Sequence, residues 1–307
     1  MNSELIICSK NRPRDLETCL ISIQKQDVIP SRILIIDASS NGETLELSEK
    51  FSPILPLLYL KSNLGLARQR NLAVKHLSPD TEVVHFIDDD VILDPHYFAA
   101  IERIFNNDSD GVIGGAGGFI TNNLEVKPTI AGKIFLLESS RKGVILSSFK
   151  NTMVFTAQND VSVDWLGGCS MSYRREVVQE FQFDSNLQGY SLGEDVDFSY
   201  RVSRKYKIIM TPSAKLIHTK SPTERQSGKD WNRSEAVHRY YYVKKNLKKR
   251  KYLFAFWWSI AGWIMINSVQ SIMKLSRWYS KNTLGSLLGV FDIITKNHYL
   301  LNKQVQK

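Results

Sequence analysis

Short apolar segments alternate with amphipathic segments along the first third of the chain. The apolar segments LIICS, RILIIDAS, LLYLKS and VVHFIDDD have the length of buried strands, and helical patterns follow them in DLETCLISIQ, TLELSEKF, GLARQRNLAVKHL and PHYFAAIERIF. This alternation predicts an α/β fold of the Rossmann-like type, with a mostly parallel sheet and helices on both faces. The carboxyl ends of parallel strands share one edge of such a sheet, where ligands bind.

The pattern changes after Ile113. The stretch GGAGGFITN predicts a flexible or tightly packed segment, and residues 122–160 have weak periodicity, which predicts a mobile insertion near the ligand-binding edge. Regular elements are predicted again further on: two strands and a helix in VDWLGGCSMSYRREVVQEF, a helix that begins near Gly193 in GYSLGEDVDFSYRVSRKY, and a closing hairpin in KIIMTPSAKLIHT. We therefore expect the α/β domain to occupy residues 1–225.

Residues 226–307 predict a separate helical region. Its uninterrupted apolar part, residues 253–266, has 14 residues by count, fewer than the roughly 20 that cross a bilayer. The basic run KKNLKKRK precedes a segment rich in tryptophan, and this combination favours helices that lie in the headgroup region of a membrane. The alternative is a terminal helix packed on the body of the protein.

The charge distribution supports an acidic partner for this tail. The 307 residues carry a formal net charge of +9, and residues 231–307 hold 14 Lys+Arg against 2 Asp+Glu, whereas residues 1–230 hold 26 against 29. Anionic membrane lipids suit this excess better than nucleic acid, because the aromatic residues form one apolar block and do not alternate with basic residues. We expect the protein to be peripheral, at the cytoplasmic face of the cell membrane of a bacterium.

Cysteine content and the N-terminus agree with a reducing compartment. The three cysteines form no CxxC pair, so neither a disulfide framework nor a structural zinc site is indicated. The first residues lack the apolar stretch of a secretory signal. No G-x-G-x-x-G or P-loop pattern follows the first strand, which argues against a dinucleotide-binding site or a P-loop.

Three consecutive carboxylates, Asp88 to Asp90, follow the predicted fourth strand directly. Adjacent carboxylates repel one another unless a cation or hydrogen-bond donors neutralise them. A solvated turn is one explanation. A divalent cation with oxygen ligands at the carboxyl edge of the sheet is the other, and such a cation also neutralises charge on a leaving diphosphate.

The ordered motifs resemble the inverting nucleotide-sugar glycosyltransferases of family two, which have a GT-A fold. The resemblance covers roughly the first 220 residues and rests on IICSKNRPRDLETCL, ILIIDASSNGE, NLGLARQRN, the FIDDD version of the DxD motif, LGGCSMSYRREVV, GEDVDFSYRV and the later His218. The second-strand motif has Ala38 where the common family form has a second carboxylate, which leaves Asp37 as the acidic residue there.

The resemblance implies a role for each matching residue. Asp195 is expected to be the general base, with Glu194 beside it in the catalytic pair. Asp90 is expected to bind Mg²⁺ or Mn²⁺, with His218 as a further metal ligand. Nucleotide-sugar binding is expected from Arg12, Asp37, Arg70, Asp88, Asp89, Gly167 and Gly168.

Each role has a simpler alternative from the residues alone. Glu194 and Asp195 could be first-turn carboxylates favoured by the helix dipole, Arg70 could be a solvated helix residue, and His218 could be a surface histidine. Cys169 has no evident basic partner and is expected to be a small buried residue.

The expected activity is transfer of a sugar from a nucleotide-sugar donor to a saccharide or polyprenyl-linked acceptor, in surface polysaccharide or glycolipid synthesis. Two other functions remain possible from the sequence: a sugar-1-phosphate nucleotidyltransferase, and an inactive membrane-docked adaptor with the same fold.

Overall fold

A computed structural model describes residues 1–63, 65–223, 226 and 228–302, which form two compact units. Unit 1 contains Met1–Glu125 and Val154–Arg225, and unit 2 contains Val126–Met153 and Gln226–Lys307. Residues 126–153 lie inside the range predicted for the α/β domain, but they group with the C-terminal helices. The division into domains 1–225 and 226–307 stays a prediction.

The strands of unit 1 form one mixed sheet. They are β1 (Ser3–Ser9), β2 (Arg32–Asp37), β3 (Leu57–Lys61), β4 (Val83–Asp88), β5 (Val91–Leu93), β6 (Ile113–Ile120), β7 (Val161–Ser162), β8 (Met171–Arg174) and β9 (Lys207–His218). Their order is β3-β2-β1-β4-β8-β6-β9-β5, and β7 pairs with β9. Strands β1 to β4 are parallel, whereas β8 is antiparallel to both β4 and β6. Because β9 is parallel to β6, it runs in the direction of β4 and ends at the same edge.

The helices of unit 1 follow the predicted segments. They are α1 (Pro13–Gln24), α2 (Glu43–Phe51), α3 (Leu66–Lys75), α4 (Tyr97–Asn106), α6 (Arg175–Glu180) and α7 (Glu194–Val202). Leu5 and Ile7 of β1 pack into one core cluster with residues of α1 and α4, while Ile6 is buried on the opposite face. A strand that is covered on both faces needs a continuous apolar run, which explains the sequence LIICS. The α/β fold predicted from the sequence is confirmed.

The glycine-rich segment is a buried strand, β6. A Cβ atom on Gly115 would lie 2.6 Å from the ring of Tyr173, and one on Gly118 would lie 2.6 Å from the carbonyl oxygen of Ala214. The glycines are therefore required by close packing, which was one of the two predicted possibilities.

The predicted closing hairpin is wrong. Residues Lys207–His218 form the single strand β9, which pairs with β6 along one side. Its other side pairs first with β7 and then with β5. Neighbours on both sides keep the strand extended through Pro212, where its register with β6 shifts.

Unit 2 consists of a short helix α5 (Ile130–Ile134) and the helices α8 (Gly228–Tyr242), α9 (Arg250–Lys274) and α10 (Arg277–Thr295). A π-helical turn, Val243–Leu247, follows α8, and a 3₁₀ turn lies at Tyr299–Leu301. Helix α9 has 25 residues, more than its 14-residue apolar block. By length and composition α9 could cross a membrane, whereas the sequence-based prediction judged its apolar block too short to do so. A single helix of this kind is weak evidence of a membrane span.

Candidate active site

Polar side chains lie at the carboxyl ends of neighbouring strands. Ser9 at the end of β1 is the register partner of Asp37 at the end of β2, and Cys8 is the partner of Asp88 at the end of β4. The parallel pairing therefore brings these predicted site residues to one edge of the sheet, as the sequence pattern indicated. His218 ends β9 at this same edge.

Asp88, Asp90 and His218 form a cluster, which we call the Asp-Asp-His cluster. One potential ligand atom from each residue lies within 4.8 Å of the other two, and Nε2 of His218 is 3.0 Å from Oδ1 of Asp90. The antiparallel pairing of β5 with β9 makes Val91 the register partner of His218, which places the histidine beside Asp90. Carboxylate oxygens and an imidazole nitrogen suit a divalent cation such as Mn²⁺.

Asp89 is held by residues outside this cluster. Its carboxylate accepts hydrogen bonds from Oγ of Ser9 at 2.7 Å and from Nη1 of Arg12 at 3.1 Å. Burial raises the pKa of Asp89 to about 7, against the lowering effects of Arg12 and Ser9. Arg12 also donates to the carbonyl oxygen of Thr223. Both residues were predicted to bind nucleotide sugar, and in this structure they tie the loop after β1 to the ends of β4 and β9.

Asp37 is fully buried and accepts three hydrogen bonds. The donors are the backbone N–H of Ser39 at 2.8 Å, the hydroxyl of Tyr59 at 2.8 Å and Nζ of Lys61 at 2.9 Å. Burial by itself would raise the pKa of Asp37, but hydrogen bonds from Ser39, Lys61 and Tyr59 outweigh it and hold the pKa below its ordinary value. The ionised carboxylate thus fixes the turn after β2 at the edge of the site.

We expect Asp37→Asn to lower the free energy of unfolding at pH 7 by about 1–3 kcal/mol, because buried donors lose an ionised acceptor. The lowered pKa means that the carboxylate stabilises the folded state above its unfolded pKa of about 4, and that this contribution is lost as the pH falls through the folded value. Urea denaturation at neutral and acid pH should therefore show a difference between wild type and variant that narrows at acid pH. A difference that stays constant with pH would contradict the assignment.

Arg70 is buried at the centre of a network that includes the predicted catalytic pair. Its Nη1 donates to Oε1 of Glu194 at 2.5 Å, and its Nη2 donates to the carbonyl oxygen of Gly168 at 3.2 Å. Nη2 also lies 3.5 Å from Oδ1 of Asp88. Only 2% of Arg70 is exposed, so the alternative of a solvated helix residue is excluded.

Asp195 is hydrogen-bonded to the backbone N–H of the same residue, Gly168. Its Oδ2 accepts a hydrogen bond from the N–H of Gly168 at 2.9 Å, and Oδ1 accepts one from the N–H of Val196 at 2.8 Å. Burial raises the pKa of Asp195, against the lowering effects of the Gly168 N–H and of Arg70. Burial and the neighbouring Asp195 also raise the pKa of Glu194, and Arg70 opposes this. The carboxylate of Asp195 is therefore held in place and is more basic than an exposed aspartate.

The two predicted glycines differ in their surroundings. A Cβ on Gly168 would lie 2.8 Å from Nη2 of Arg70, whereas a Cβ on Gly167 would meet its nearest atom, Sγ of Cys169, at 3.9 Å. The absence of a side chain at Gly168 lets Arg70 approach its carbonyl oxygen, while its N–H is bonded to Asp195. Cys169 is buried, as predicted.

We expect Gly168→Ala to lower the free energy of unfolding by about 1–3 kcal/mol, because the added methyl group displaces a buried guanidinium. Gly167→Ala is the matched control and should leave stability nearly unchanged. Thermal unfolding would separate them, since about 1 kcal/mol shifts the Tm by about 2–4 °C in a domain of this size. Equal Tm values for the two variants would show that Gly168 and the Arg70 guanidinium are not packed closely enough to exclude a methyl group.

Several residues of the site were missed by the sequence-based prediction. The residues named as metal ligands were Asp90 and His218, whereas Asp88, which the resemblance assigned to nucleotide-sugar binding, also joins the Asp-Asp-His cluster, as the run of three carboxylates had allowed. Ser9, Tyr59 and Lys61 were not predicted, although they hold Asp89 and Asp37. Ser9 and Lys61 end β1 and β3, which was the available signal because those strand ends meet the same edge, whereas Tyr59 lies in the middle of β3.

Solved structures with a similar fold are glycosyltransferases. The mannosyltransferase PcManGT from Pyrobaculum calidifontis, solved with GDP-Man and Mn²⁺, matches with a TM-score of 0.61 and 14% identity over 97% of this chain and 88% of that chain. GalNAc-T7, solved with UDP, GalNAc and Mn²⁺, matches with a TM-score of 0.57 and 18% identity over 79% of this chain and 50% of that one. TarS from S. aureus matches with a TM-score of 0.52 and 16% identity over 98% of this chain and 54% of that one. The fold is that of the GT-A glycosyltransferases.

Sequence comparison gives the family. A family model described as glycosyl transferase family 2 matches residues 4–181, more than half of the chain. The chain therefore belongs to glycosyl transferase family 2, and it is a glycosyltransferase, as its motifs suggested. A search of curated proteins found no match.

Proposed function

We propose that this glycosyltransferase is metal-dependent and inverting, and that it transfers a sugar from a nucleotide-diphosphate donor to a hydroxyl group of a saccharide or lipid-linked acceptor. One observation carries the proposal: a single buried guanidinium, that of Arg70, lies beside Asp88 of the Asp-Asp-His cluster and beside the carbonyl oxygen of Gly168, the residue whose N–H holds Asp195. A metal-binding group and a candidate base are thus fixed relative to each other.

The Asp-Asp-His cluster is the proposed metal site. Asp88, Asp90 and His218 would hold Mg²⁺ or Mn²⁺, which neutralises the charge that develops on a leaving diphosphate. Two similar solved glycosyltransferases contain Mn²⁺ together with a nucleotide or a nucleotide sugar, which supports this class of donor. One contains a guanosine nucleotide and the other a uridine nucleotide, so they favour no particular base.

The turn and loop residues at the sheet edge would bind the donor. Asp37 fixes the turn after β2, and the Arg12 to Asp89 pair fixes the loop after β1, so backbone groups of both loops are held at the edge. Gly167 leaves room for a sugar to approach the backbone, whereas the space beside Gly168 is taken by Arg70. Arg70 contributes by orienting Gly168 and Glu194.

Asp195 is the proposed general base. It would take the proton from the acceptor hydroxyl while that oxygen forms a bond to the anomeric carbon and the bond to the diphosphate breaks. A single displacement of this kind inverts the anomeric configuration. Arg70 places a positive charge near Asp195 and limits the rise of its pKa.

The proposal of a lipid-linked acceptor is based on the composition of unit 2. The basic residues and tryptophans there favour association with an anionic membrane surface, and a lipid-linked acceptor would be available at such a surface. We place the reaction at the cytoplasmic face of the cell membrane, in the synthesis of a surface polysaccharide or glycolipid.

A donor screen tests the proposal. The purified protein would be incubated with Mn²⁺ and a panel of nucleotide sugars, and nucleoside diphosphate release and the anomeric configuration of the product would be measured. We expect release from one donor class and an inverted product. A retained configuration would contradict the single displacement, and pyrophosphate release from a nucleoside triphosphate and a sugar 1-phosphate would favour the nucleotidyltransferase.

A further inference from the structure

Helix α10 buries mostly polar and small residues, whereas several of its large apolar residues are exposed. The buried residues are Asn282, Gly285, Ser286, Gly289, Asp292 and Ile293, whereas Leu284, Leu287, Phe291 and Ile294 are exposed to between 48% and 70%. A surface helix of a water-soluble domain has the opposite arrangement, with its apolar stripe facing the core.

The buried face of α10 packs against α8. A Cβ on Gly285 would lie 2.2 Å from the carbonyl oxygen of Lys229, and one on Gly289 would lie 2.8 Å from Cβ of Ala236, so the two helices approach closely through small residues. Asn282 accepts a hydrogen bond from Asn232 at 3.0 Å.

The same face carries an ion pair, because Asp292 accepts two hydrogen bonds from Arg233 of α8, at 2.6 and 2.9 Å. Small residues and interhelical polar contacts are typical of helix packing in lipid.

Helix α9 carries an exposed apolar stripe along most of its length. Phe254, Trp258, Ala261, Met265, Val269 and Ile272 are all exposed. They recur at intervals of three or four residues and therefore lie on one face. Only 33% of the most apolar part of α9 is buried, so α9 is not the core helix of a soluble bundle.

Helix α5 extends this surface. Ile130 and Ile134 are 79% and 58% exposed, and the carbonyl oxygen of Ile134 accepts a hydrogen bond from the indole N–H of Trp258 at 2.8 Å. Exposed apolar surface of this kind marks a site of interaction. We call the exposed apolar residues of α5, α9 and α10 together the apolar face.

The charges around the apolar face identify its partner. Residues 243–291 contain no Asp or Glu, and they contain Lys and Arg only near the two ends of α9: a run at 244–251 before and at its start, and Lys274, Arg277 and Lys281 around its end. Apolar residues between basic flanks match a bilayer whose acyl chains lie behind anionic headgroups.

We propose that the apolar face of unit 2 contacts the acyl chains of an anionic membrane, with α8 and α10 joined through their small and polar residues. The sequence-based prediction placed these helices among the lipid headgroups. In this proposal, the exposed apolar residues of the apolar face lie deeper in the bilayer, among the acyl chains. The inference rests on the membrane association in the proposed function and is independent of the catalytic roles.

Flotation with lipid vesicles tests this contact. The full chain should bind vesicles that contain phosphatidylglycerol, and part of the binding should persist in about 1 M salt, where electrostatic attraction extends only about 3 Å. The double variant Met265→Glu with Ile272→Glu should bind at least about tenfold more weakly, because each carboxylate would have to enter the acyl region. Glutamate is a good helix former, so α9 should persist.

The matched control is Ile21→Glu with Ile54→Glu, which changes two exposed isoleucines of unit 1 that are 40% and 53% exposed. It should bind vesicles like wild type. Lipids brominated on their acyl chains should quench tryptophan fluorescence, and Trp258→Phe should reduce the quenching whereas Trp165→Phe should not.

Three results would overturn the proposal: equal binding of both double variants, complete release by salt, or a lipid-independent dimer that the α9 variant disrupts. Nucleoside diphosphate release with a soluble acceptor, measured on the same samples, would show separately whether the transferase activity exists.

Discussion

Asp195→Asn should lower the turnover of glycosyl transfer by about a hundredfold to ten-thousandfold, which is the usual contribution of a general base. Asparagine has nearly the same shape, and its side-chain oxygen can still accept a hydrogen bond from the N–H of Gly168 or Val196. The KM for the donor should therefore change little while kcat falls. Steady-state kinetics with the donor found in the screen would measure both.

The pH profile should support the same role. A base acts in its ionised form, and burial raises the pKa of Asp195. On the acid side of the profile, the wild-type rate should therefore begin to fall at a higher pH than it would if the base were an exposed aspartate. This acid-side fall in rate should be absent in Asp195→Asn. Asp164→Asn, which removes a partly exposed carboxylate of unit 1 paired with Arg204, is the control and should keep the wild-type profile. Wild-type turnover in Asp195→Asn would rule out this base.

Asp90→Asn should weaken Mn²⁺ binding by about tenfold to a hundredfold. Turnover of the donor should fall with it. The substitution removes the negative charge nearest to Nε2 of His218 but keeps an oxygen that can accept from the N–H of Ser221, at 2.8 Å in the structure. The loop after β9 should therefore stay in place. Titration of free Mn²⁺ by electron paramagnetic resonance would measure the affinity without any donor or acceptor.

Asp110→Asn provides the matched control, because Asp110 is an exposed aspartate in the turn before β6. Its Mn²⁺ affinity should equal that of wild type. His218→Gln should also weaken Mn²⁺ binding if the histidine is a ligand, which separates this role from that of a surface histidine. Unchanged Mn²⁺ affinity in Asp90→Asn would place the metal elsewhere and would remove the basis of the proposed donor site.

The sequence by itself determined the first four strands of the sheet, the helices that follow them and the positions of most site residues along the chain. The period of apolar residues is a local property, so β1 to β4 and α1 to α4 could be predicted, and so could the start of α7 after Gly193, whereas the short strand β5 was not predicted. The apolar run before Asp88 placed three carboxylates at a strand end, and the ordered motifs indicated the family. Parallel pairing then implied that Asp37 and Asp88 share an edge.

Only the tertiary structure decided which of these residues meet. Arg70 and Glu194 are 124 residues apart in the chain, and their ion pair depends on how α3 and α7 pack at the sheet edge. The continuous strand β9 sets His218 beside Asp90, whereas the pattern around Pro212 suggested a hairpin. The sequence also did not show that α10 buries mostly polar and small residues and exposes several large apolar ones. A periodic pattern shows that a helix has two faces, but it does not show which face a neighbour covers. Contacts between distant segments decide such questions, and sequence periodicity records only local spacing.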